Sequence, residues 1–309
     1  MLKAIKPHHL SAYLRKIDKI FPEMSEANLL TADDITNYYN ESYIGYSIFH
    51  SWNGAIHMAI SRNGKFSKSD YFRQAEEAAS LAKRQASSGL LLELGCGRGF
   101  NIGYLGHQLP DWTCVGVDFT ERHINDATKR YDEVKNVRFN VDDFHELSSI
   151  EDKSCDIILG VESVCHALDL QKVAATVAKK IKPGGKLIIF DGFRSSEQSD
   201  NAELERAATL AEAAMSVPKS PEVLAFCECF ENVGFQLCEN EDLSEAVMPN
   251  LVRLSDFAKG FFKFPALTKT LLHVFPRGLL RNAVAGILMP ITVGSGIHSY
   301  RRLIFSYSE

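Results

Sequence analysis

The alternation of short apolar runs with amphipathic stretches predicts an α/β protein built on a parallel, doubly wound sheet. Three observations carry that reading. Leu90 to Leu94 is wholly apolar apart from Glu93, as suits a strand covered on both faces. A glycine loop, Gly95-Cys96-Gly97-Arg98-Gly99, follows it directly and leads into a helix-like stretch to about Gln108. Five such strand-helix alternations follow one another along the central part of the chain.

The elements after the loop can be placed in turn. Thr113 to Val117 is a second strand ending at Asp118, after which Thr120 can cap a helix through Tyr131. Val137 to Val141 and Cys155 to Leu159 are the third and fourth strands. Asp169 caps a helix to Lys180, and Lys182-Pro183-Gly184-Gly185 turns the chain into a fifth strand, Lys186 to Asp191. Residues 196–219 hold an extra helix, and Ser220-Pro221 opens another that Gly234 stops. Phe235 to Cys238 is a sixth strand, and Arg301 to Tyr307 a final strand-like run. Before the first strand, Ser69 leads a helix ending near Ser87-Ser88-Gly89. The resulting division is a helical N-terminal lid or substrate cap (1–85), a cofactor-binding core (86–242), an insertion (243–299) and a last core strand (300–309). The insertion is too long for a simple connection and is read as a second substrate cap.

Composition narrows the function classes. The chain has 309 residues, 45% hydrophobic and 24% charged, with a net charge of -5, which excludes a disordered acidic tail, a collagen repeat and a strongly basic nucleic-acid binder. Seven scattered cysteines without a charged-then-apolar leader point to buried thiols in a reducing cytoplasm. Cys227-Glu228-Cys229 with Cys238 lacks the two spaced pairs of a zinc site, so no metal is expected there. From Glu197 to Glu245 there are twelve acids against two bases, and from Leu251 onward eight bases against two acids. Those segments form complementary solvated faces, or the basic part meets an anionic headgroup or a membrane surface. Asn282 to Tyr300 is uncharged but too rich in Gly, Pro and Ser to span a bilayer. The run Phe257 to Phe264 can touch lipid, and core packing explains it nearly as well.

The glycine loop sits where a backbone must come close to a ligand, ahead of a helix N-terminus that favours negative groups. A dinucleotide fingerprint requires its third glycine at position 100, where this chain has Phe100. Glu93, two residues before Gly95, can instead meet a cationic amino group. Nicotinamide binding is therefore disfavoured. Asp118 ends the second strand and can accept both hydroxyls of a ribose. Phe119 offers an adenine an apolar face, and Asp142-Asp143-Phe144 ends the third strand, where a carboxylate can accept the adenine amino proton.

As a set, Glu93 to Gly99, Gly116-Val117-Asp118, Asp143 with Leu147, Cys155-Asp156-Ile157-Ile158 and Lys182-Pro183-Gly184-Gly185 resemble the successive motifs of class I S-adenosylmethionine-dependent methyltransferases. The resemblance covers about residues 88–192. It implies a Rossmann-like, seven-stranded sheet whose last strand, Arg301 to Tyr307, is antiparallel. It also implies S-adenosylmethionine as donor and S-adenosylhomocysteine as product. Carried over by position, Glu93 and the backbone of Gly95, Cys96 and Gly97 hold the methionine part, Asp118 and Phe119 the ribose and adenine, and Asp143 with Phe144 the adenine edge. Asp142 stands where the family usually has glycine. Glu162-Ser163-Val164-Cys165-His166-Ala167 resembles the corresponding segment of sterol C-methyltransferases, and the aromatic stretch from Tyr38 to Trp52 is loosely similar to their N-terminal region. Met289-Pro290 and Gly296 to Tyr300 resemble tocopherol and sterol methyltransferases in outline.

The resemblance implies methylation of a hydrophobic, isoprenoid acceptor, whether sterol-like, a prenyl diphosphate or prenylquinone-like. Methylating an alkene leaves a carbocation, which aromatic faces such as Tyr38 and Tyr46 can stabilise and from which Glu162 can take a proton. Core packing is the alternative role of the aromatics, and helix capping or holding the lid that of Glu162. His166 could instead serve an oxygen or nitrogen nucleophile, as in small-molecule methyltransferases of secondary metabolism. A methyltransferase-fold cyclase or a lipid carrier on the same scaffold are further rivals. A diphosphate acceptor would call for magnesium and bases such as Arg281, Arg301 or Arg302. Peripheral membrane contact and a homodimer stay open, and no nucleic-acid partner is expected.

Overall fold

The computed structural model describes residues 10–25, 54–197, 199–263, 268 and 277–308. Its seven strands are β1 (Leu90–Leu94), β2 (Thr113–Asp118), β3 (Val137–Val141), β4 (Cys155–Val161), β5 (Ile181–Arg194), β6 (Phe235–Asp242) and β7 (His298–Tyr307). They form one sheet in the order β3-β2-β1-β4-β5-β7-β6. Pairing is parallel from β3 across to β5, and β7 runs antiparallel to both β5 and β6, as the sequence motifs imply.

The helices are α1 (Leu10–Ile20), α2 (Arg73–Gln85), α3 (Phe100–Gln108), α4 (Glu121–Arg130), α5 (Leu170–Lys180), α6 (Ala202–Ala214), α7 (Val223–Glu231), α8 (Ser244–Lys263) and α9 (Arg277–Gly294). Because strand side chains alternate between faces, the apolar strands feed two cores at once. Leu91, Ile157, Leu159, Ile188 and Phe190 pack against α2 and α3. Leu92, Leu94, Ile158, Leu187 and Ile189 pack against α5 and α7. A further cluster holds no strand residue: α1, α6, α8 and α9 meet one another through Leu14, Ile17, Leu210, Ala211, Phe262 and Ile287. α8 and α9 are both supplied by the chain between β6 and β7.

Several element ends differ from expectation for local reasons. The turn expected at Lys182 to Gly185 lies inside β5, as an irregularity where the partner jumps from Ile181 to Lys186 while β4 advances only from Cys155 to Ile157. Ser67, not Ser69, is the capping residue ahead of α2, forming a capping box with Asp70 over the 3-10 turn Lys68–Phe72. Thr120 precedes α4 but its side chain makes no cap bond. The extra helix is shorter than 196–219 and is capped by Asn201. β6 runs on to Asp242 because charged residues pair across to β7, where Arg301 meets Asp242 and Arg302 meets Glu239 and Glu241, and β7 begins at His298 because His298 to Tyr300 pair with Arg194, Phe193 and Gly192 of β5. The acidic and basic segments thus complement each other along this sheet edge. No helix among the described residues is long and apolar enough to cross a membrane.

Candidate active site at the carboxyl ends of the strands

The parallel strands β1, β2, β3 and β4 all end at one edge of the sheet, the usual place for a ligand in such folds. Each contributes its next residues to a single cleft of about 620 Å³, counting its open mouth. Glu93, Gly95, Cys96, Asp118, Phe119, Phe144, Glu162 and His166 line it. Residues as far apart as Glu93 and His166 are therefore brought together by strand order.

The glycine loop is shaped by close contacts. Gly95 has φ +64°, and a Cβ there would lie 2.6 Å from the Cβ of Ser163. Gly97 has φ +51°, and its Cβ would meet Ile56 at 2.8 Å. Both positions have a left-handed backbone that favours glycine, and at Gly95 the Ser163 Cβ also leaves no room for a side chain, whereas at Gly97 the neighbour is the movable tip of Ile56. The Cys96 amide donates to the Val117 carbonyl (2.9 Å), tying the loop to β2.

Two carboxylates dominate the floor. Asp118 accepts from the Gly97 amide at 2.9 Å through Oδ2 and from the Thr120 amide at 2.8 Å through Oδ1. One lone pair on each oxygen remains for a ligand hydroxyl. His123 Nδ1 lies 3.5 Å from Oδ1. Glu93 is only 2% exposed. Its Oε1 accepts from Asn101 Nδ2 at 2.7 Å, whereas its buried Oε2 has no hydrogen-bond partner. Burial, with Asp118 nearby, pushes its carboxyl up to about 8. Asn101 Oδ1 and Ser163 Oγ, from two other cleft-lining residues, are likewise buried and unpaired. An uncompensated group of this kind costs about 1–3 kcal/mol. A ligand carrying an ammonium would satisfy Glu93 Oε2, so the residues present fit the methionine end of S-adenosylmethionine.

Phe119 and Phe144 line the cleft beyond Asp118, as an adenine slot requires. Asp143 sits outside that lining. Its Oδ1 holds His145 through the backbone amide at 2.8 Å and Nδ1 at 2.7 Å. Asp142 closes the following turn by accepting from the amide and hydroxyl of Ser149 (2.8 and 2.6 Å), which accounts for a carboxylate where a glycine would be usual.

Across the cleft stand the two candidate bases. Glu162 follows β4 directly, with φ +48°, a conformation strained for a non-glycine residue. Its Oε1 accepts the Met58 amide at 2.6 Å. Burial and the charge of Asp191 push its carboxyl up to about 8, against the opposing hydrogen bonds from Met58 and Tyr300. His166 Nδ1 donates to the Ser216 carbonyl at 3.1 Å, and burial lowers its titration to about 4. His57, also in the lining, is held on the Tyr71 carbonyl at 2.9 Å and is likewise lowered to about 4. Tyr38 and Tyr46 lie outside the described residues.

Arg301 and Arg302, proposed from sequence for a diphosphate, are engaged by carboxylates at the β6–β7 edge, and Arg281 Nη2 donates to the Ala213 carbonyl at 3.1 Å. Residues that sequence reasoning missed come mainly from the strap 54–61. Gly54 and Ile56 line the cleft, and the amides of Met58, Ala59 and Ser61 donate to Glu162, Asn250 and the Ala246 carbonyl. Asn101 was within reach of inference, since the first turn of a helix opening on the loop must face the end of β1. The strap carries no motif.

Comparison with known proteins agrees with this geometry. Residues 92–189 match the family model described as a methyltransferase domain. The sterol 24-C-methyltransferase of Saccharomyces cerevisiae is 24% identical over 242 residues, 75% of this chain but only 61% of the yeast protein. In three dimensions, the cyclopropane synthase MmaA2 from Mycobacterium tuberculosis superposes with a TM-score of 0.72 at 15% identity, covering 90% of this chain and 100% of its own. Geranyl diphosphate C-methyltransferase from Streptomyces coelicolor A3(2) superposes at 0.63 with 14% identity, covering 91% and 99%. The chain therefore carries a methyltransferase domain on the class I S-adenosylmethionine-dependent methyltransferase fold.

Proposed function

We propose that the protein transfers a methyl group from S-adenosylmethionine to a carbon of a hydrophobic, isoprenoid acceptor, with Glu162 taking up the proton released. The observation that carries this reading is the placement of Glu162: a desolvated carboxyl on the same cleft as Glu93 and Asp118, raised to about 8. The relatives that match most of the chain, sterol 24-C-methyltransferases, support the acceptor class.

S-adenosylmethionine supplies an electrophilic methyl on a sulfonium. When it is bound, Glu93 Oε2 would receive the ammonium, Asp118 the ribose hydroxyls, and Phe119 and Phe144 the adenine, holding the donor for in-line attack. As the acceptor alkene's π electrons form the new carbon–carbon bond, the methyl–sulfur bond would break with its pair leaving on S-adenosylhomocysteine, and a cation would remain on the neighbouring carbon. The C–H bond beside it breaks, its electrons close a double bond, and the proton passes to a Glu162 oxygen. A carboxylate whose conjugate acid titrates near 8 is a far stronger base than an ordinary glutamate. His166 suits the role less, because a histidine titrating near 4 binds a proton weakly and its Nδ1 hydrogen is spent on Ser216. Exposed Phe257, Lys259 and Lys263 on α8 would let the enzyme rest on a lipid surface while collecting such an acceptor.

Methyl-labelled donor incubated with sterol-like, prenyl diphosphate and prenylquinone-like lipids, read by mass spectrometry, tests the assignment. Label on an acceptor carbon is expected. Label only on oxygen or nitrogen, or a rearranged product without label, would replace this reading with one of its rivals.

A further inference from the structure

The wall of the cleft around Glu93 offers more hydrogen-bonding capacity than its own residues use. Glu93 and Asn101 are 2% and 4% exposed, and both line the cleft. A single side-chain contact joins them, from Asn101 Nδ2 to Glu93 Oε1 at 2.7 Å. The other oxygen of each group, Glu93 Oε2 and Asn101 Oδ1, is buried without a hydrogen-bond partner. Two orphaned acceptors on bonded neighbours are costly unless a ligand brings N–H or O–H groups to both.

The orientation of the Asn101 amide follows from the carboxylate. An ionised Glu93 can only accept, so Asn101 must present Nδ2 to Oε1 and turn Oδ1 away from it. Asn101 is the second residue of α3, and the amino end of a helix carries roughly half a positive charge, which works against a bound cation. The two oxygens answer that field in different ways. Glu93 brings a formal charge, and Asn101 adds a carbonyl dipole without a second charge. A carboxylate at position 101 would push the Glu93 carboxyl up further, as Asp118 already does, whereas the Asn101 hydrogen bond favours the ionised form against burial.

We propose that Asn101 is a second receptor for the ammonium of the methyl donor, its Oδ1 accepting one N–H while Glu93 Oε2 accepts another. The proposal rests on the reading of Glu93 as the site of that ammonium. A primary ammonium has three N–H bonds, and one carboxylate oxygen cannot satisfy them all. Through Nδ2 the same amide stops the Glu93 carboxylate from turning, so one side chain orients the charged acceptor and supplies the neutral one. The pair then selects a nucleoside that carries a primary ammonium over one with the same thioether and carboxylate but no nitrogen on the chain.

Calorimetry at pH 8.5 with S-adenosylhomocysteine and its desamino analogue tests this, the readout being the ratio of the two affinities. The wild type is expected to favour S-adenosylhomocysteine by roughly a hundredfold. Asn101→Leu, close to asparagine in shape but without polar atoms, should weaken S-adenosylhomocysteine about tenfold and leave the analogue within about twofold. The effect should persist once Glu93 is replaced: adding Asn101→Leu to Glu93→Gln should still lower the ratio by about threefold or more. A ratio unchanged by Asn101→Leu would overturn the proposal, as would equal losses for both ligands, the mark of a merely structural role. A drop that vanishes in the Glu93→Gln background would overturn it too, reducing Asn101 to a support for the carboxylate. If Asn101→Leu does not fold, Asn101→Ala takes its place with the same readings. A wild type that binds both ligands equally would remove Glu93 as the ammonium site, and one that binds neither would remove the methyl donor itself; either result overturns the underlying reading and the proposal with it.

Discussion

The two sides of the cleft are built in opposite ways. On the donor side, Glu93, Gly95, Gly97, Asn101 and Asp118 lie within twenty-six consecutive residues and hold one another through short-range bonds. On the base side, Glu162 is held by the Met58 amide and faces the charge of Asp191, contributed by the strap and β5. Yet both sides arrive at a carboxyl raised to about 8, fully buried at Glu93 and partly buried at Glu162. A βαβ unit can make a cofactor site with its own loop, because the strand end, the turn and the helix start are already adjacent. A site for the acceptor has to be gathered from elements that meet only in the finished fold. Under the proposed function, donor binding is thus a local property of the sequence and catalysis a property of the whole architecture.

The sharpest separation of the two sides comes from Glu162→Gln. Turnover of labelled methyl should fall by roughly 10²–10⁴, the range for removing a general base, while S-adenosylhomocysteine affinity by calorimetry stays within about threefold, the change having spared every donor-side contact. Comparable losses in both measurements would mean that the two sides are one cooperative unit. Asp118→Ala probes the other direction. It removes the ribose acceptor and releases the Gly97 and Thr120 amides, so donor-product affinity should weaken by about a hundredfold, two charge-assisted bonds' worth. The infrared titration midpoint of the Glu162 carboxyl should not move.

A third measurement uses pH. Glu93 must be ionised to receive an ammonium, and it titrates near 8 before the ligand arrives. Binding below that pH expels a proton, so S-adenosylhomocysteine affinity should rise by up to about tenfold per pH unit between 6 and 8, then level off. Glu93→Gln should flatten the slope. A slope that survives this substitution would shift the linkage to the base side, where Glu162 titrates in the same range.

The same division explains what the sequence disclosed. The sheet was legible because each strand is a short apolar run ending in punctuation: Gly95 after β1, Asp118 at the end of β2, Asp142-Asp143 after β3. Ends were misjudged where the apolar pattern gives out: β6 runs on through charged residues such as Glu241, which pairs with Arg302, and β5 and β7 extend together where Gly192 to Arg194 pair with Tyr300 to His298. Glu93, Asp118 and Glu162 could be named in advance, since each occupies a fixed step after or within a strand. Gly54, Ile56 and Met58 could not. They come from a strap whose residues follow no periodic pattern. Asp143 shows the converse: it has the expected position, but its carboxylate is turned to His145.

The smallest expected effect concerns stability without ligand. A carboxyl whose titration is raised by folding favours the folded state fully below its ordinary range near 4.5, and that contribution is lost as pH rises through about 8. Above pH 8, the free protein therefore carries the Glu93 charge as a cost, with Oε2 unpaired. Glu93→Gln keeps the acceptor for Asn101 and removes the charge. At pH 8.5 it should raise the melting temperature of the free protein by about 3 °C, corresponding to about 1 kcal/mol for a chain of this size. At pH 5, where the wild-type side chain is neutral, the two proteins should melt together. S-adenosylhomocysteine should raise the melting temperature of the wild type at pH 8.5 and do so much less in the variant. A variant that melts below the wild type at pH 8.5 would mean that Glu93 is stabilised by something other than the ligand, and the donor side would then lose its character as a site strained in readiness for a cation.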